Sequence, residues 1–209
     1  MVSALQLPEG FECRMNASHP IELREENETP IIAGYAAVIG RRSQNFGYGD
    51  FSVFEVIEPG AFDDVLNDDV RALINHEGIP LARTRSNTLK ISSDATGLRY
   101  EFTPDMTMAA AKDLVTAMRR GDIDQSSFAF RVAKGGEWWE ERDDEAIRHI
   151  TKISSLRDVS IVTYPAYPDA TVGLRSLQNF RRETNARNQN HREQIERRSR
   201  ELDLLETDL

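Results

Sequence analysis

Apolar and polar positions alternate with a period near two along most of this chain, and the period lengthens to a helical one in only a few places. Residues 31–39 read I-I-A-G-Y-A-A-V-I between Pro30 and Gly40, which predicts a largely buried strand. Turn-like residues fill 41–50, a second strand is predicted at 53–57, and Glu58-Pro59-Gly60 breaks it before a short helical segment at 61–66. An apolar strand at 70–74 ends where Asn75, His76, Glu77 and Gly78 take over. Residues 88–92 and 98–102 read as two strands joined by the turn signal Asp94-Ala95-Thr96-Gly97. Met106, Ala110, Leu114, Val115 and Met118 follow at helical spacing, with Gly121 as the stop. Four further strand-like runs, 127–133, 137–141, 146–153 and 156–163, are separated by short polar turns, so the expected pairing is local and antiparallel. Pro165 and Pro168 then end the sheet, because proline cannot donate to a ladder.

Both ends are polar. Residues 1–29 include Glu22, Arg24, Glu25, Glu26 and Glu28 without a helical apolar stripe, and read as a leading strand or a loosely held arm. Residues 177–209 read as a polar helix or a disordered tail. Its charge is split: seven arginines (181, 182, 187, 192, 197, 198, 200) lie ahead of Glu201, which opens the run Glu201, Asp203, Glu206 and Asp208, interleaved with leucines. Segments of this kind dock a partner or fold on binding.

Composition narrows the class. With 209 residues, 39% hydrophobic and 29% charged, the chain can bury one full-sized core and carry an appendage. Tail arginines and acids cancel, so the net charge of -9 belongs to the body and argues against nucleic-acid binding, which needs clustered Lys and Arg on phosphates. Cys13 is the only cysteine, and His19, His76, His149 and His191 form no metal-binding pair, so neither a disulfide, a metal site nor a cofactor loop is expected. No apolar run reaches the roughly 18 residues of a membrane span, and the first ten residues lack the pattern of a signal segment. The expectation is a soluble protein that stays where it is made.

Three residues suit nucleophilic chemistry. A serine hydroxyl becomes a useful nucleophile when an imidazole takes its proton, and the imidazole needs a third group to fix its tautomer. His76 stands at a strand end. In S-S-F-A-F-R-V, alternation puts Ser126, Phe128 and Phe130 on the core face and Ser127, Ala129 and Arg131 on the other, toward a cleft or solvent. Asp158 interrupts the β-forming run L-R-D-V-S-I-V. Each has a plain alternative: a loop histidine capping a turn, a strand-surface serine, a solubilising charge on an edge strand. His149 is a rival third member, with a sheet histidine on the polar face as its alternative. Trp138 and Trp139 read as one core residue and one partly exposed one.

The ordered set G-Y-A-A-V (34–38), F-E-V-I-E-P-G-A-F (54–62), D-V-R-A-L-I-N-H-E (69–77), S-F-A-F (127–130) and L-R-D-V-S-I-V-T-Y-P-A-Y-P (156–168) resembles the prohead maturation proteases of tailed bacteriophages, relatives of the herpesvirus capsid assembly proteases. The resemblance covers most of residues 30–175. It implies an α+β fold, mainly an antiparallel β-barrel flanked by helices and herpesvirus-protease-like, with the protease domain at 30–176. It implies a serine endopeptidase without metal or cofactor, with Ser127 as nucleophile, His76 as base and Asp158 as the orienting acid. Ala129 replaces the family's usual glycine and Asp158 its usual glutamate, one methylene longer. The second histidine used by the herpesvirus relatives keeps His149 in play. The implied setting is the host cytoplasm, inside the immature phage head, and the implied partners are the major capsid protein or its scaffolding segment. Analogy suggests a homodimer. A catalytically silent assembly module on the same fold is the alternative.

Overall fold

The computed structural model describes residues 7–16, 18–47, 49–163 and 170–207; the two prolines read as ending the last strand, Pro165 and Pro168, lie outside them. In chain order the body runs β1 (Glu12–Asn16), β2 (Glu22–Glu26), β3 (Thr29–Val38), β4 (Ser52–Ile57), β5 (Arg71–Ile74), β6 (Glu77–Arg83), β7 (Leu89–Ser93) and β8 (Gly97–Phe102). Helix α1 (Ala109–Arg120), β9 (Gln125–Val132), β10 (Glu137–Glu141), β11 (Glu145–Ile150) and β12 (Ile153–Val162) complete it. The segment at 61–66 holds a single 3-10 turn, Asp63–Val65. Helix α2 (Ala170–Thr207) belongs to a second unit, Thr171–Leu209, so the polar tail is helical.

The strands form three sheets, ordered β1-β9-β12-β5-β6, β10-β11-β4 and β2-β3-β8-β7. The fold is α+β, but among the described residues the sheets do not close into the expected barrel: the five-stranded sheet ends on β1 and β6. Pairing is antiparallel within β2–β3, β5–β6, β7–β8 and β10–β11, where short turns force it. It is parallel for β12 with β5 and for β11 with β4, where long crossovers return the chain in the same direction. The short turns between runs carry no trace of these distant partners, so the expectation of antiparallel pairing fails there. Strand β6 was also invisible in the alternation. Pro80 sits within it, and an edge strand tolerates a residue that cannot donate.

One hydrophobic cluster holds the body together. Phe128, Phe130, Leu156, Val159 and Ile161 come from the five-stranded sheet, Ile32, Leu98, Tyr100 and Phe102 from the four-stranded one, and Ala111, Leu114, Val115 and Met118 from one stripe of α1. Leu114, Val115 and Met118, from the spacing that predicted this helix, lie on the face that it buries, whereas Ala110 is exposed and Ala111 takes its place in the core. It stops at Gly121, whose left-handed φ of 78 lets its N–H reach the Ala117 and Met118 carbonyls. Trp139 is buried and Trp138 is half exposed, as their alternation predicts.

Charged residues also enter the interior. On β1, Glu12 and Arg14 face the same side as Phe128 and Phe130 and are nevertheless buried, because each finds a partner. Arg14 Nε and Nη2 donate to the two Glu55 oxygens at 2.8 and 3.0 Å, and Nη2 also reaches Glu12 at 2.6 Å. Arg148 on β11 donates to both Glu12 oxygens at 2.7 and 2.9 Å, to Glu55 at 2.9 Å, and through Nε to Glu137 at 2.6 Å. This network fastens β1 to the three-stranded sheet. Burial by itself would push the Glu12 carboxyl up, but the hydrogen bonds and charges of Arg148 and Arg14 outweigh it and hold the group below its ordinary range.

A lowered native value means that Glu12 stabilises the fold above its unfolded pKa of roughly 4.3 and that this contribution fades as pH falls toward the native value. We therefore expect Glu12→Gln to cost about 3 kcal/mol in urea unfolding near neutral pH, as for any broken buried pair. The gap to wild type should narrow at pH 3.5; a gap independent of pH would contradict the network's role.

Candidate active site

Three strands and one hairpin bring the sequence-selected residues together. Ser127 lies on β9, paired with Met15 of β1 on one side and Ser160 of β12 on the other. Asp158 lies on β12 opposite Ala129, and the next strand over, β5, leads into the turn that carries His76.

The phase of β12 depends on an irregularity. Leu156 pairs with Phe130 and Asp158 with Ala129, so Arg157 is one residue too many and the strand bulges there. Strict alternation from Leu156, a core residue, would send Asp158 into the core as well. The extra residue resets the alternation, so that Val159 and Ile161 face the core while Asp158 and Ser160 share the face of Ser127. Strand β12 is interior to its sheet and Asp158 is fully buried, which removes the alternative of a solubilising edge charge.

The hairpin places His76. Ile74 pairs with Glu77, leaving a two-residue loop of Asn75 and His76 with φ of 52 and 62, the left-handed pair of a type I′ turn. The second position of such a turn favours glycine, yet histidine occupies it. The turn is held against the end of β12. Asn75 N–H donates to the Ile161 carbonyl at 2.9 Å, and Asn75 Oδ1 accepts from the Thr163 N–H at 2.9 Å and from its hydroxyl at 3.2 Å. His76 N–H donates to Ser160 Oγ at 3.2 Å.

From this position the imidazole spans the other two side chains. His76 Nδ1 is 2.6 Å from Asp158 Oδ1 and Nε2 is 2.7 Å from Ser127 Oγ. A carboxylate only accepts, so the proton sits on Nδ1 and leaves Nε2 bare to receive the serine hydroxyl. Ser127 Oγ has a second acceptor in the Arg14 carbonyl at 3.0 Å. Asp158 Oδ1 also accepts from the Ser160 hydroxyl at 2.8 Å, while buried Oδ2 makes no hydrogen bond and has Arg157 Nε at 4.0 Å. Cys13 Sγ lies 3.8 Å from His76 Nδ1.

One expectation needs correction. Ser127 does not open onto solvent: it is 0% exposed, because β9 is flanked by β1 and β12 and the imidazole reaches its hydroxyl. Ser126 is buried and bonded to the Tyr100 hydroxyl at 2.6 Å, as its core-side position predicts. His149 is not drawn to His76, both of whose ring nitrogens are engaged elsewhere. It sits on β11 with Nδ1 2.6 Å from Glu58 Oε1 and its ring stacked 3.9 Å from that of Trp138. Ser160 escaped the sequence reading, whereas Asn75 was placed in the turn beside His76. The only trace of Ser160 was its place two residues beyond Asp158, hence on the same face.

Among the described residues no cluster of His, Cys, Asp and Glu could hold a metal ion, and no helix is long and apolar enough to cross a membrane. A hydroxyl, an imidazole and a buried carboxylate linked in this order form the constellation of serine-dependent acyl transfer. The chain belongs to the caudovirus prohead serine proteases, the family whose model matches residues 18–183, and thus to a family of capsid-maturation enzymes. No curated protein and no solved structure gives a significant match.

The left-handed backbone at residue 76 costs a side chain with a Cβ about 1 kcal/mol relative to glycine. His76→Gly and His76→Ala both remove the imidazole, so their comparison isolates that cost. The glycine variant should be the more stable by about 1 kcal/mol in urea unfolding. Alanine equal to or better than glycine would mean that the turn is not left-handed in solution.

Proposed function

We propose that this protein is a serine endopeptidase that cleaves the scaffolding segment of the capsid protein inside the immature phage head, and also itself. The observation that carries the proposal is the unbroken hydrogen-bond chain from Asp158 through His76 to Ser127 in a member of the prohead protease family. Ser127 Oγ attacks the peptide carbonyl, His76 Nε2 takes its proton and returns it to the leaving amine, and Asp158 stabilises the imidazolium. Backbone N–H groups receive the developing oxyanion charge. The shorter carboxylate at 158 is accommodated by a short contact, 2.6 Å to His76.

The same reading gives the C-terminal helix a task. A segment with arginines first and acids with leucines last is suited to binding scaffold or capsid protein. Tethering would raise the local substrate concentration to about the millimolar range, so that a slow protease acts only within the assembling shell. Deleting residues 178–209 should then reduce incorporation into proheads; unchanged incorporation would remove the tether from the account.

A silent assembly module is the second reading, favoured by the complete enclosure of Ser127 and its bond to the Arg14 carbonyl. Co-expression with the cognate capsid protein, read by intact-mass spectrometry, separates the two. Wild type should trim the partner and Ser127→Ala should lose at least about 1,000-fold in rate, with His76→Ala comparably impaired. Particles that contain an uncleaved partner beside wild-type protein would establish the silent module instead.

A further inference from the structure

Ser160 is fully buried on the site face of β12, directly opposite Ser127 in the sheet. Its hydroxyl makes two bonds whose directions are fixed by their partners. The Asp158 carboxylate cannot donate, so Ser160 donates to Oδ1 at 2.8 Å; the His76 main-chain N–H cannot accept, so Ser160 accepts from it at 3.2 Å. One hydroxyl therefore joins the acid to the backbone of the residue whose imidazole that acid must meet.

Both groups it holds need holding. Asp158 Oδ2 is buried with no hydrogen-bond partner among the described residues and only Arg157 Nε at 4.0 Å, so the hydrogen bonds that orient the carboxylate are made at Oδ1, by the imidazole and by Ser160. Without the serine, the imidazole that the carboxylate is supposed to restrain would be its one remaining hydrogen-bond partner among the described residues. His76 occupies a left-handed position that a side chain resists, and its N–H has no other hydrogen-bond partner among those described.

We propose that Ser160 is a positioning residue of the catalytic array, acting on Ser127 only through Asp158 and His76. This rests on the reading of those three residues as the catalytic group. Because the hydroxyl spends both of its bonds on Asp158 and His76, its loss should affect turnover and not binding. The informative pair is Ser160→Thr and Ser160→Val, which have the same shape and differ only in the hydroxyl. With a peptide spanning the junction that wild type cleaves, kcat for the valine variant should fall about 10- to 100-fold below that of the threonine variant, the range for removing a group that orients a primary one. KM should stay within about twofold. In an Asp158→Ala background the same valine change should cost several-fold less than it does with Asp158 present, since of the two bonds it acts through only the one from the His76 N–H remains.

Equal kcat for the two variants, or a full additional loss in the Asp158→Ala background, would overturn the proposal. A second readout does not depend on activity. The low-field proton resonance of the His76–Asp158 hydrogen bond should be present in wild type and in Ser160→Thr, and displaced or broadened in Ser160→Val. An unchanged resonance in the valine variant overturns the positioning role even if wild type proves inert, a result that would separately sink the protease reading.

Discussion

The site depends on one constraint: a strand interior to its sheet must give one face to an apolar core and the other to a buried polar array. Alternation alone cannot supply both on β12, because the core claims Leu156, Val159 and Ile161, which are not evenly spaced by two. The bulge at Arg157 resolves the conflict by changing phase between Leu156 and Val159. A continuous β12 would have the acid on the core side. The chemistry is thus set by backbone register before any side-chain rotamer is chosen.

The strand on the other side of Ser127 is constrained by charge. Strand β1 contributes the Arg14 carbonyl and the Cys13 thiol to the neighbourhood of the site, while Glu12 and Arg14 point to the opposite face and lock into Arg148 and Glu55. Replacing such a network with apolar residues often leaves stability unchanged, whereas its paired charges fit one another in a single arrangement. An apolar β1 could slide by two residues and still bury its side chains. A strand whose glutamate and arginine each meet a bidentate partner has one register.

Much of this was readable in the sequence, for reasons that differ by residue. Helix α1 was legible because its apolar spacing and its glycine stop are local. Ser127 and His76 were legible because the alternation of S-S-F-A-F and the strand end at Asn75 are local as well, and the ordered motifs of the family added their roles. The burial of Ser127 was not legible, since it follows from which strands flank β9, a fact of pairing across 113 residues. Parallel pairing of β12 with β5 escaped for the same reason. Glu12, Arg14 and Glu55 looked like ordinary polar positions, and only the approach of Arg148 turns them into an interior network. The barrel inferred from family likeness is not what the described residues form: their strands lie in three sheets, and closure, like strand order, depends on pairings that no local motif records.

The span of that network also sets a clock. Glu12 meets Arg148 across 136 residues, and Ser127 meets His76 and Arg14 across 51 and 113. Contacts between such distant parts of a chain form late in folding, since the intervening segment must first be ordered. On the ribosome β1 emerges early and has to wait, unpaired, until β9 and β11 have been synthesised. A nascent chain therefore carries its serine and its histidine well before it carries a site, and completion of the body, not synthesis of the reactive residues, marks the moment at which a proteolytic enzyme could first threaten its neighbours.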